Sequence, residues 1–555
     1  MNTFRRTAAL AAALVMLTAC SQTAGTGSDT GSADTSAAAD TGGADTSAAE
    51  SEATPVIGEG ALNVVYGDIR TEFNDSLDLS DYPLTGSDVP DGYSITVEAE
   101  SGTFSGGGRA DELPEASGGA YATGVNIEGD RLDIPVTVEY TGFYDINIVS
   151  RGSGGNRVNN FLIDDMKVGD FTTLSEGLFG DAYLYNIRLA AGEHTLSITP
   201  SWGYIDMDCI VIEKAAHPIT EDVYNVEKPL SNPNADDHTK KLYKFLCDIY
   251  GKYSLTGQYA DEGRLSKEYE KLTAKTGKTF AVLGMDMMDY SLGSKEHGSE
   301  CRTVEYAYDW YNNAGGIVQL CWHWRSPGEY ALNTEGHPWY SSFYKEDSKI
   351  DLDKIMNGED ETGYQLLMDD IDNISNELAR LRDAGVPVIW RPLHEASGGW
   401  FWWGDCEPES YKKLWNVMYD KMTNEHGLTN LIWMWNAQNK DWYPGDETVD
   451  IVSTDIYAGN LVDTSQSAQF TDLAYNYGDA AKLVALSENG CVMDPDKVFE
   501  DNARWLFWGT WAEPFALKLG VVVNDEYTSF DTLIKAYNHD RTLTLDELPD
   551  LKNYE

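Results

Sequence analysis

Eight short apolar runs, separated by stretches with helical periodicity, most constrain how the second half of this chain can fold. They lie at 253–258, 280–286, 316–322, 386–391, 431–436, 450–456, 483–487 and 505–508. In the clearest helical stretch, Ile371, Ile374 and Leu378 share one face, and the stretch ends before Pro387. Strands that alternate with helices form parallel sheets, and eight such units close into a barrel. Residues 239–555 are therefore predicted to form an α/β domain, a (β/α)8 TIM barrel.

Residues 93–215 show a different pattern, in which apolar and polar residues alternate between glycine-rich turns. The longest such run places Leu132, Ile134, Val136 and Val138 on one face. This period of two is typical of half-buried strands, and several in succession predict an antiparallel sandwich. The chain is thus predicted to be multidomain, with an all-β antiparallel sandwich (jelly-roll) module ahead of the barrel.

The N-terminus combines Arg5 and Arg6, an apolar run over 8–16, and small residues before Cys20. This is the pattern of a secretory signal peptide over 1–19. Residues 21–58 contain mainly Ser, Thr, Ala, Gly and Asp, a composition that predicts a disordered linker. We assign 59–92 as a connecting segment and 216–238, which contains Pro and Asn, as a second linker.

The charge balance narrows the classes of ligand. The chain has 40 basic and 91 acidic residues, a net charge of −51. Such a surface repels phosphate backbones, so nucleic acid is excluded as a partner and a neutral ligand is favoured. Six cysteines follow Cys20 without C-x-x-C spacing, which argues against a zinc site. Disulfides are permitted outside the cytoplasm, but their pairing is not set by the sequence.

Two glutamates stand where the chemistry of a barrel is expected, at the C-terminal ends of strands. Glu395 lies four residues after the fourth apolar run, and Glu488 comes directly after the seventh. A charge at the end of a buried strand is costly unless it faces a cleft. Cleavage of a glycosidic bond needs such a pair, one carboxylic acid to protonate the leaving oxygen and one carboxylate at the sugar carbon. Asp286 and Asp455 stand at further strand ends.

The segment from Trp390 to Gly404, which reads WRPLHEASGGWFWWG, resembles the acid/base signature of glycoside hydrolase family 26. The segments 321–324, 453–457, 487–490 and 543–549 agree with this resemblance, which covers about 239–555. It implies a retaining enzyme with Glu395 as general acid/base and Glu488 as nucleophile. The wider clan usually has Asn before the acid/base, whereas this chain has His394, as in family 26.

Other residues around the two glutamates have expected roles in the site. Arg391 is placed to pair with the nucleophile, and Tyr457 to donate a hydrogen bond to it. An apolar pocket keeps a carboxylic acid protonated, and the aromatic residues from Trp400 to Trp403 are expected to supply one. The expected substrate-binding residues are His323, Arg391, His394, Trp400, Tyr457 and Trp508, with the two histidines on sugar hydroxyls and the two tryptophans stacked on sugar rings.

The predicted sandwich resembles carbohydrate-binding module family 35, through VEAE at 97–100 and SWGYIDMDCI at 201–210. This resemblance implies that Glu98, Glu100 and Asp208 hold a structural calcium ion, a hard cation that takes several oxygen ligands. It also makes Trp202 the candidate for stacking on a sugar ring. Acidic residues at sheet ends and a buried core tryptophan remain the alternatives.

The expected function is a retaining endo-acting β-1,4-mannanase that needs no cofactor for catalysis, binds β-mannan, and is a monomer. The same family allows a β-glucanase (lichenase) or a β-1,3-xylanase, and a non-catalytic glycan-capture lipoprotein is a further alternative. The segment ending at Cys20 looks like a bacterial lipobox, which implies a lipid on Cys20 and an extracytoplasmic location, anchored or secreted. Membrane contact is expected only through that lipid.

Overall fold

The structure is a computed structural model that describes residues 62–152, 155–173 and 178–555. The predicted signal peptide, the lipidation site Cys20 and the 21–58 linker lie outside these residues. Within the same three ranges, no helix has both the length and the apolar character needed to cross a membrane.

Residues 94–214 form two antiparallel sheets that pack face to face. Their strands are β1 (Ser94–Glu98), β2 (Thr103–Ser105), β3 (Arg109–Glu112), β4 (Ala120–Val125), β5 (Arg131–Val138), β6 (Gly142–Gly152), β7 (Arg157–Ile163), β8 (Met166–Thr173), β9 (Gly180–Leu189), β10 (Gly192–Pro200) and β11 (Ile205–Lys214). One sheet has the order β3-β4-β11-β6-β9, with β1 also paired to β11, and the other has the order β2-β5-β10-β7-β8.

The alternation read from the sequence accounts for the core between these sheets. Leu132, Ile134, Val136 and Val138 of β5 are all buried, while Pro135 and Thr137 between them are exposed. Successive residues of a strand point to opposite faces, so this pattern buries one face of the sheet. The predicted antiparallel sandwich is confirmed.

Eight parallel strands of the second half close into a barrel, as predicted. In order, they are β13 (Gly257–Tyr259), β14 (Val282–Asp286), β15 (Ile317–Cys321), β16 (Val388–Arg391), β17 (Leu431–Trp435), β18 (Ile451–Ile456), β19 (Leu483–Asn489) and β20 (Trp508–Thr510). Six strands lie within one or two residues of the predicted runs. The first and eighth lie further along the chain, ending at Tyr259 and Thr510 instead of at 258 and 508.

The remaining strands are short. β12 (Ser254–Leu255) pairs with β23 (Thr542–Leu543), and β21 (Leu517–Lys518) pairs with β22 (Val522–Val523). The α-helices are α1 (Glu221–Tyr224), α2 (Asp237–Ile249), α3 (Lys267–Thr276), α4 (Leu292–Lys295), α5 (Thr303–Asn312), α6 (Leu352–Met356), α7 (Glu361–Asp383), α8 (Pro408–Asp420), α9 (Ser467–Asn476), α10 (Pro495–Glu500) and α11 (Phe530–Asn538).

Helix α7 shows why these segments fold as they do. The Asp360 side chain caps its first turn by accepting a hydrogen bond from the Gly363 N–H. Its apolar face, which includes Ile371 and Ile374, is fully buried against the barrel. The helix ends before Gly385, whose φ of 68° suits the left-handed turn that leads into β16.

Residues 62–85 cross the N-terminal face of the barrel, opposite the strand ends that carry Glu395 and Glu488. The Arg70 backbone N–H donates to the Asn313 carbonyl at 2.8 Å, just before β15. The buried guanidinium of Arg504, just before β20, donates to the carbonyls of Tyr82 and Pro83. This segment therefore forms part of the barrel's packing.

Helix α9 joins the two domains by covering one edge of the sandwich. It packs on the edge strands β8 and β9 of the two sheets, and Ala468 is buried in the core between them. Beside it, the Thr464 hydroxyl donates to the Lys167 carbonyl at 2.8 Å. Exposed strand edges pair readily with other chains, and a covering helix prevents this.

Candidate active site

Glu395 and Glu488 are brought together at the C-terminal end of the barrel. Glu488 is the sixth residue of β19, and Glu395 lies four residues beyond β16. Both are buried, and single carboxylate oxygens of Glu395, Asp455 and Glu488 lie within 4.8 Å of one another. In glycoside hydrolases a carboxyl separation of roughly 5–5.5 Å goes with retention, and about 6.5–9.5 Å with inversion. The observed spacing fits the retaining geometry.

Both oxygens of the Glu488 carboxylate accept hydrogen bonds. The Arg391 guanidinium, itself fully buried, donates to Oε1. The Tyr457 hydroxyl donates to Oε2 at 2.7 Å. Arg391 also donates to the Tyr259 hydroxyl and to Asp455, each at 2.9 Å. Arg391, at the end of β16, thus bonds residues of β13, β18 and β19. These contacts fix the orientation of the Glu488 carboxylate, as a positioned nucleophile requires.

Glu395 lies in a setting that favours its protonated form. Burial, and then the nearby charges of Asp455 and Glu488, raise the pKa of Glu395 well above its ordinary value. Its backbone has a φ of 54°, in the left-handed region, and its N–H donates to the Asn436 carbonyl at 2.6 Å. Such backbone conformations cost about 1–3 kcal/mol and are found at functional sites. A carboxyl that stays protonated is suited to act as a general acid.

Asp455 and Asn436 form a network behind the two glutamates. The Asn436 amide donates to Asp455 Oδ1 at 2.8 Å, and the Ser487 hydroxyl donates to the same oxygen at 2.7 Å. Burial raises the pKa of Asp455 to about 7. Asn436 was missed among the predicted site residues, although it ends the fifth apolar run, where a polar side chain is expected to face the site.

The Trp400 indole N–H donates to Glu395 Oε2 at 3.1 Å and stabilises its ionised form. Trp400→Phe removes this hydrogen bond, so the pKa of Glu395 rises further. Since a general acid acts while protonated, the high-pH limb of kcat/KM is expected to move to higher pH.

The pH profile of kcat/KM on a soluble oligosaccharide measures this effect. Trp339→Phe, at a half-buried tryptophan that stacks on His297, serves as the matched control. A shift of the high-pH limb to lower pH, or the same shift in the control, contradicts this assignment of Trp400.

The two histidines contact each other. His323 Nε2 and His394 Nε2 are 3.1 Å apart, and His323 Nδ1 lies 2.5 Å from Asp286 Oδ2. Burial, followed by the positive charge of Arg391, lowers the pKa of His394 well below its ordinary value. Both ring nitrogens of His323 thus have protein partners, and the contact with sugar hydroxyls that the sequence suggested stays a prediction. Through these two contacts, His323 links Asp286 to His394.

Trp511, just after the eighth strand, lies beside other site residues. Trp508 lies within β20 and is 4% exposed. Trp511 follows the strand, with its ring centroid 4.6 Å from Tyr259 and 6.0 Å from His323. Trp511 is half-buried, and so is Trp400. Because the predicted eighth run ended at 508, the aromatic residue after the true strand end was missed, and Tyr259 was missed for the same reason.

Aromatic residues pack behind the acid/base. Phe401, Trp402 and Trp403 are fully buried, and the Trp403 indole N–H donates to the His394 carbonyl at 2.8 Å. Phe401 and Trp403 also pack on the ring of His394, the residue before the acid/base. Each described cysteine is a free thiol: Cys209, Cys247, Cys301, Cys321, Cys406 and Cys491.

The sandwich places its candidate residues in two clusters. Trp202 is half-buried at the end of β10, with the Arg157 guanidinium 5.2 Å from its ring centroid, and Tyr204 beside it is 50% exposed. In the second cluster, the Ser117 hydroxyl donates to Glu98, and the Ser117 N–H donates to Asp208.

The second cluster has the chemistry of a hard-cation site. Glu98 and Glu100 each have a buried carboxylate oxygen with no hydrogen-bond partner within the part of the chain that the structure describes. Burial raises the pKa of both Glu100 and Asp208, and the charge of Glu98 adds to this effect. Buried anionic oxygens without partners are costly, and a divalent cation would satisfy them.

A (β/α)8 barrel with two buried carboxyl groups at this spacing, backed by Arg391 and Tyr457, defines a glycoside hydrolase of retaining geometry. Residues 231–547 match the family described as glycosyl hydrolase family 26, and residues 95–215 match carbohydrate binding module family 35. The chain belongs to glycosyl hydrolase family 26 and carries a family 35 module on its N-terminal side. Both resemblances drawn from the sequence are confirmed.

Relatives of this chain align over most of its length. The chain is 37% identical to a mannan endo-1,4-beta-mannosidase of Thermothelomyces thermophilus, over 83% of this chain and 91% of that protein. It is 32% identical to mannan endo-1,4-beta-mannosidase B of Piromyces sp, over 83% of this chain and 79% of that protein. The crystal structure of a Podospora anserina GH26-CBM35 beta-(1,4)-mannanase aligns with a TM-score of 0.57 at 34% identity, covering 83% of this chain and 99% of that one.

Proposed function

We propose that this protein is an endo-acting β-1,4-mannanase that cleaves mannan, galactomannan and glucomannan with retention of configuration. The observation that carries the catalytic part is the buried pair Glu395 and Glu488, with oxygens within 4.8 Å. The substrate rests on the relatives, since those that align over both domains are named as mannanases.

The geometry assigns a role to each carboxyl group in a double displacement. Glu488 attacks the anomeric carbon while Glu395 gives its proton to the departing glycosidic oxygen, which leaves a covalent glycosyl-enzyme. Glu395, now ionised, then takes a proton from water, and the oxygen of that water attacks the same carbon and releases Glu488. Arg391 and Tyr457 hold Glu488 in line during both steps.

The substrate is tested by measuring reducing-sugar release from galactomannan, lichenan and β-1,3-xylan in parallel. We expect release from galactomannan to be the largest. Activity only on lichenan or only on the xylan would overturn the mannanase proposal in favour of a β-glucanase or a β-1,3-xylanase of the same family. The product profile on defined manno-oligosaccharides separates endo from exo attack.

A glycan-capture protein without catalysis is the other candidate. A pure binder has no need for a buried carboxyl group whose pKa is raised beside a second, positioned carboxylate. The absence of any hydrolysis, with glycan binding retained, would favour it.

We also propose that Glu98, Glu100 and Asp208 bind a calcium ion that stabilises the sandwich. The two buried oxygens without described partners support this assignment. Removal of calcium with a chelator is expected to lower the thermal transition of the sandwich by several degrees, and added calcium to restore it. Calorimetry checks this result.

The variant Asp208→Asn tests whether this response comes from the proposed site, because it keeps the side-chain shape but removes one anionic ligand. This variant is expected to lose most of the response to chelator and calcium. A sandwich whose transition does not respond to either reagent in the parent chain would refute the calcium site.

For location, we propose an exported monomer that is either released or anchored through a lipid on Cys20. The path of residues 62–85 indicates how the active site would be oriented if the protein were anchored. This segment is held to the barrel face opposite the catalytic carboxyl groups. A tether entering there would leave the cleft facing away from the membrane.

A further inference from the structure

The outer face of the larger sheet of the sandwich has features that catalysis and the Trp202 cluster leave unexplained. Tyr183 of the edge strand β9 is 39% exposed, and its ring lies parallel to that of Tyr185, with 3° between the planes and 5.5 Å between the centroids. Residues two apart on a strand project from the same face. The two tyrosines therefore form one aromatic ridge, which we call the tyrosine ridge.

The strand register places Asn147 of β6 directly beside the tyrosine ridge. Asn147 is the register partner of Tyr183, and opposed residues on neighbouring strands share a face. Its neighbours Ile146 and Ile148 are fully buried in the core, so Asn147 points to the outer face. The same row continues across β11 and β1 through Val211 and Thr96, a span of roughly 14 Å at the usual strand spacing.

Asn147 has an unsatisfied polar atom. Its amide N–H donates to Asp181 Oδ1 at 2.8 Å. Asn147 as a residue is only 7% exposed. Its side-chain carbonyl oxygen is buried and has no hydrogen-bond partner among the residues that the structure describes. A buried acceptor without a partner is destabilising, because it has lost its hydrogen bonds to water and gained none from the protein. A ligand hydroxyl that reached this oxygen would remove that cost.

The charged side chains around the tyrosine ridge are acidic, and they favour an uncharged ligand with hydroxyl groups. Asp181 is exposed on the same strand as the tyrosines, and Glu213, two residues after Val211 on β11, is half-buried. From the barrel, Asp472 of α9 lies near Tyr185, where its charge adds to burial in raising the pKa of that phenol. Carboxylates accept hydrogen bonds from hydroxyl groups and repel anions, and the net charge of −51 has the same effect at longer range.

We propose that the tyrosine ridge, with Asn147 and Asp181, is a second glycan-binding site of the sandwich, separate from the Trp202 cluster, that takes an uncharged β-linked hexose chain. An aromatic ring covers the C–H face of a pyranose, while the amide and carboxylate groups bind its hydroxyls. The identity of the hexose chain as mannan rests on the proposed function. Helix α9 covers this edge of the sandwich and follows the loop that starts at Tyr457, so the ridge keeps a fixed position relative to the active site.

The test measures binding of the full chain to galactomannan, with Glu488→Gln introduced to prevent turnover. Adding Tyr183→Ala and Tyr185→Ala is expected to weaken the affinity roughly five- to tenfold in affinity electrophoresis. The corresponding double change to Phe keeps both rings and is expected to retain most of the affinity. Tyr364→Ala, at a tyrosine of α7 that is 38% exposed, is the matched control and should have no effect.

Two further measurements separate the possible outcomes. Trp202→Ala combined with the ridge variant should weaken binding more than either alone, because the sites are separate. With Glu488 intact, Tyr183→Ala should leave turnover of a short manno-oligosaccharide unchanged. Unaltered galactomannan affinity in a folded double alanine variant would overturn the second site, and so would an equal loss in Tyr364→Ala. A parent chain that binds no galactomannan would instead overturn the proposed function, before any ridge variant is made.

Discussion

Glu488→Ala is expected to lower kcat on galactomannan by at least roughly 10⁴-fold, because the residue that forms the covalent intermediate is lost. Arg391 and Tyr457, which both donate to Glu488, keep their other contacts but no longer position a nucleophile. Binding of galactomannan through the sandwich should be retained, since the variant changes only the barrel. Steady-state kinetics and affinity electrophoresis measure the two effects separately.

Added azide makes this prediction more specific. In Glu488→Ala the small anion can occupy the space of the missing carboxylate and attack the anomeric carbon, giving an α-mannosyl azide. Glu409→Ala is the control, because that carboxylate lies on α8 with 76% of its side chain exposed. Normal turnover in Glu488→Ala would remove the proposed mechanism, and so would a comparable loss in Glu409→Ala.

Glu395→Ala is expected to lower kcat/KM on the polysaccharide by roughly 10³- to 10⁴-fold, because general acid catalysis of the leaving group is lost. The loss should be much smaller on an aryl mannoside with an acidic phenol, which departs without a proton. The high-pH limb of the rate profile should also disappear, since it reports the ionisation of Glu395, whose pKa burial raises.

Azide again distinguishes the two roles. It should accelerate the Glu395→Ala variant by attacking the glycosyl-enzyme, with a β-mannosyl azide as product, the opposite anomer to that from Glu488→Ala. An equal loss on the polysaccharide and on the activated aryl substrate would contradict the acid/base assignment.

The sequence predicted the architecture because its periodicities are local. Buried parallel strands are continuous apolar runs, and the outward helices between them are amphipathic, so both can be read from short windows. Residues that end such runs, among them Glu488, were therefore found directly. Glu395 lies four residues past its strand, and the motif around it made its role recognisable.

The missed site residues follow from strand boundaries, which local patterns define poorly. Tyr259 and Trp511 lie at or just after strand ends that were placed one and two residues too early. His323 was predicted to lie at the site because it follows a strand end, but its protein partners were not predicted. Its pairing with Asp286 and His394 joins three different strands or their loops, and no local pattern indicates it.

Contacts between distant segments were also beyond the sequence. Residues 59–92 and 216–238 read as connecting segments, but Arg70 bonds the Leu545 carbonyl and the Ser231 N–H bonds Asp450 of the barrel. Likewise, Ala468 contributes to the core of the sandwich from a helix of the barrel. Such pairings depend on the relative position of whole domains, which neither composition nor periodicity encodes.

The most direct test of the central claim, that Glu395 and Glu488 act as a retaining pair, is the anomeric form of the first product. Proton NMR of manno-oligosaccharide hydrolysis, followed from the earliest minutes, records this before mutarotation. The spacing within 4.8 Å predicts that the β-anomer appears first and then decays toward equilibrium. Initial accumulation of the α-anomer would contradict the account, because inversion needs a water molecule between the two carboxyl groups.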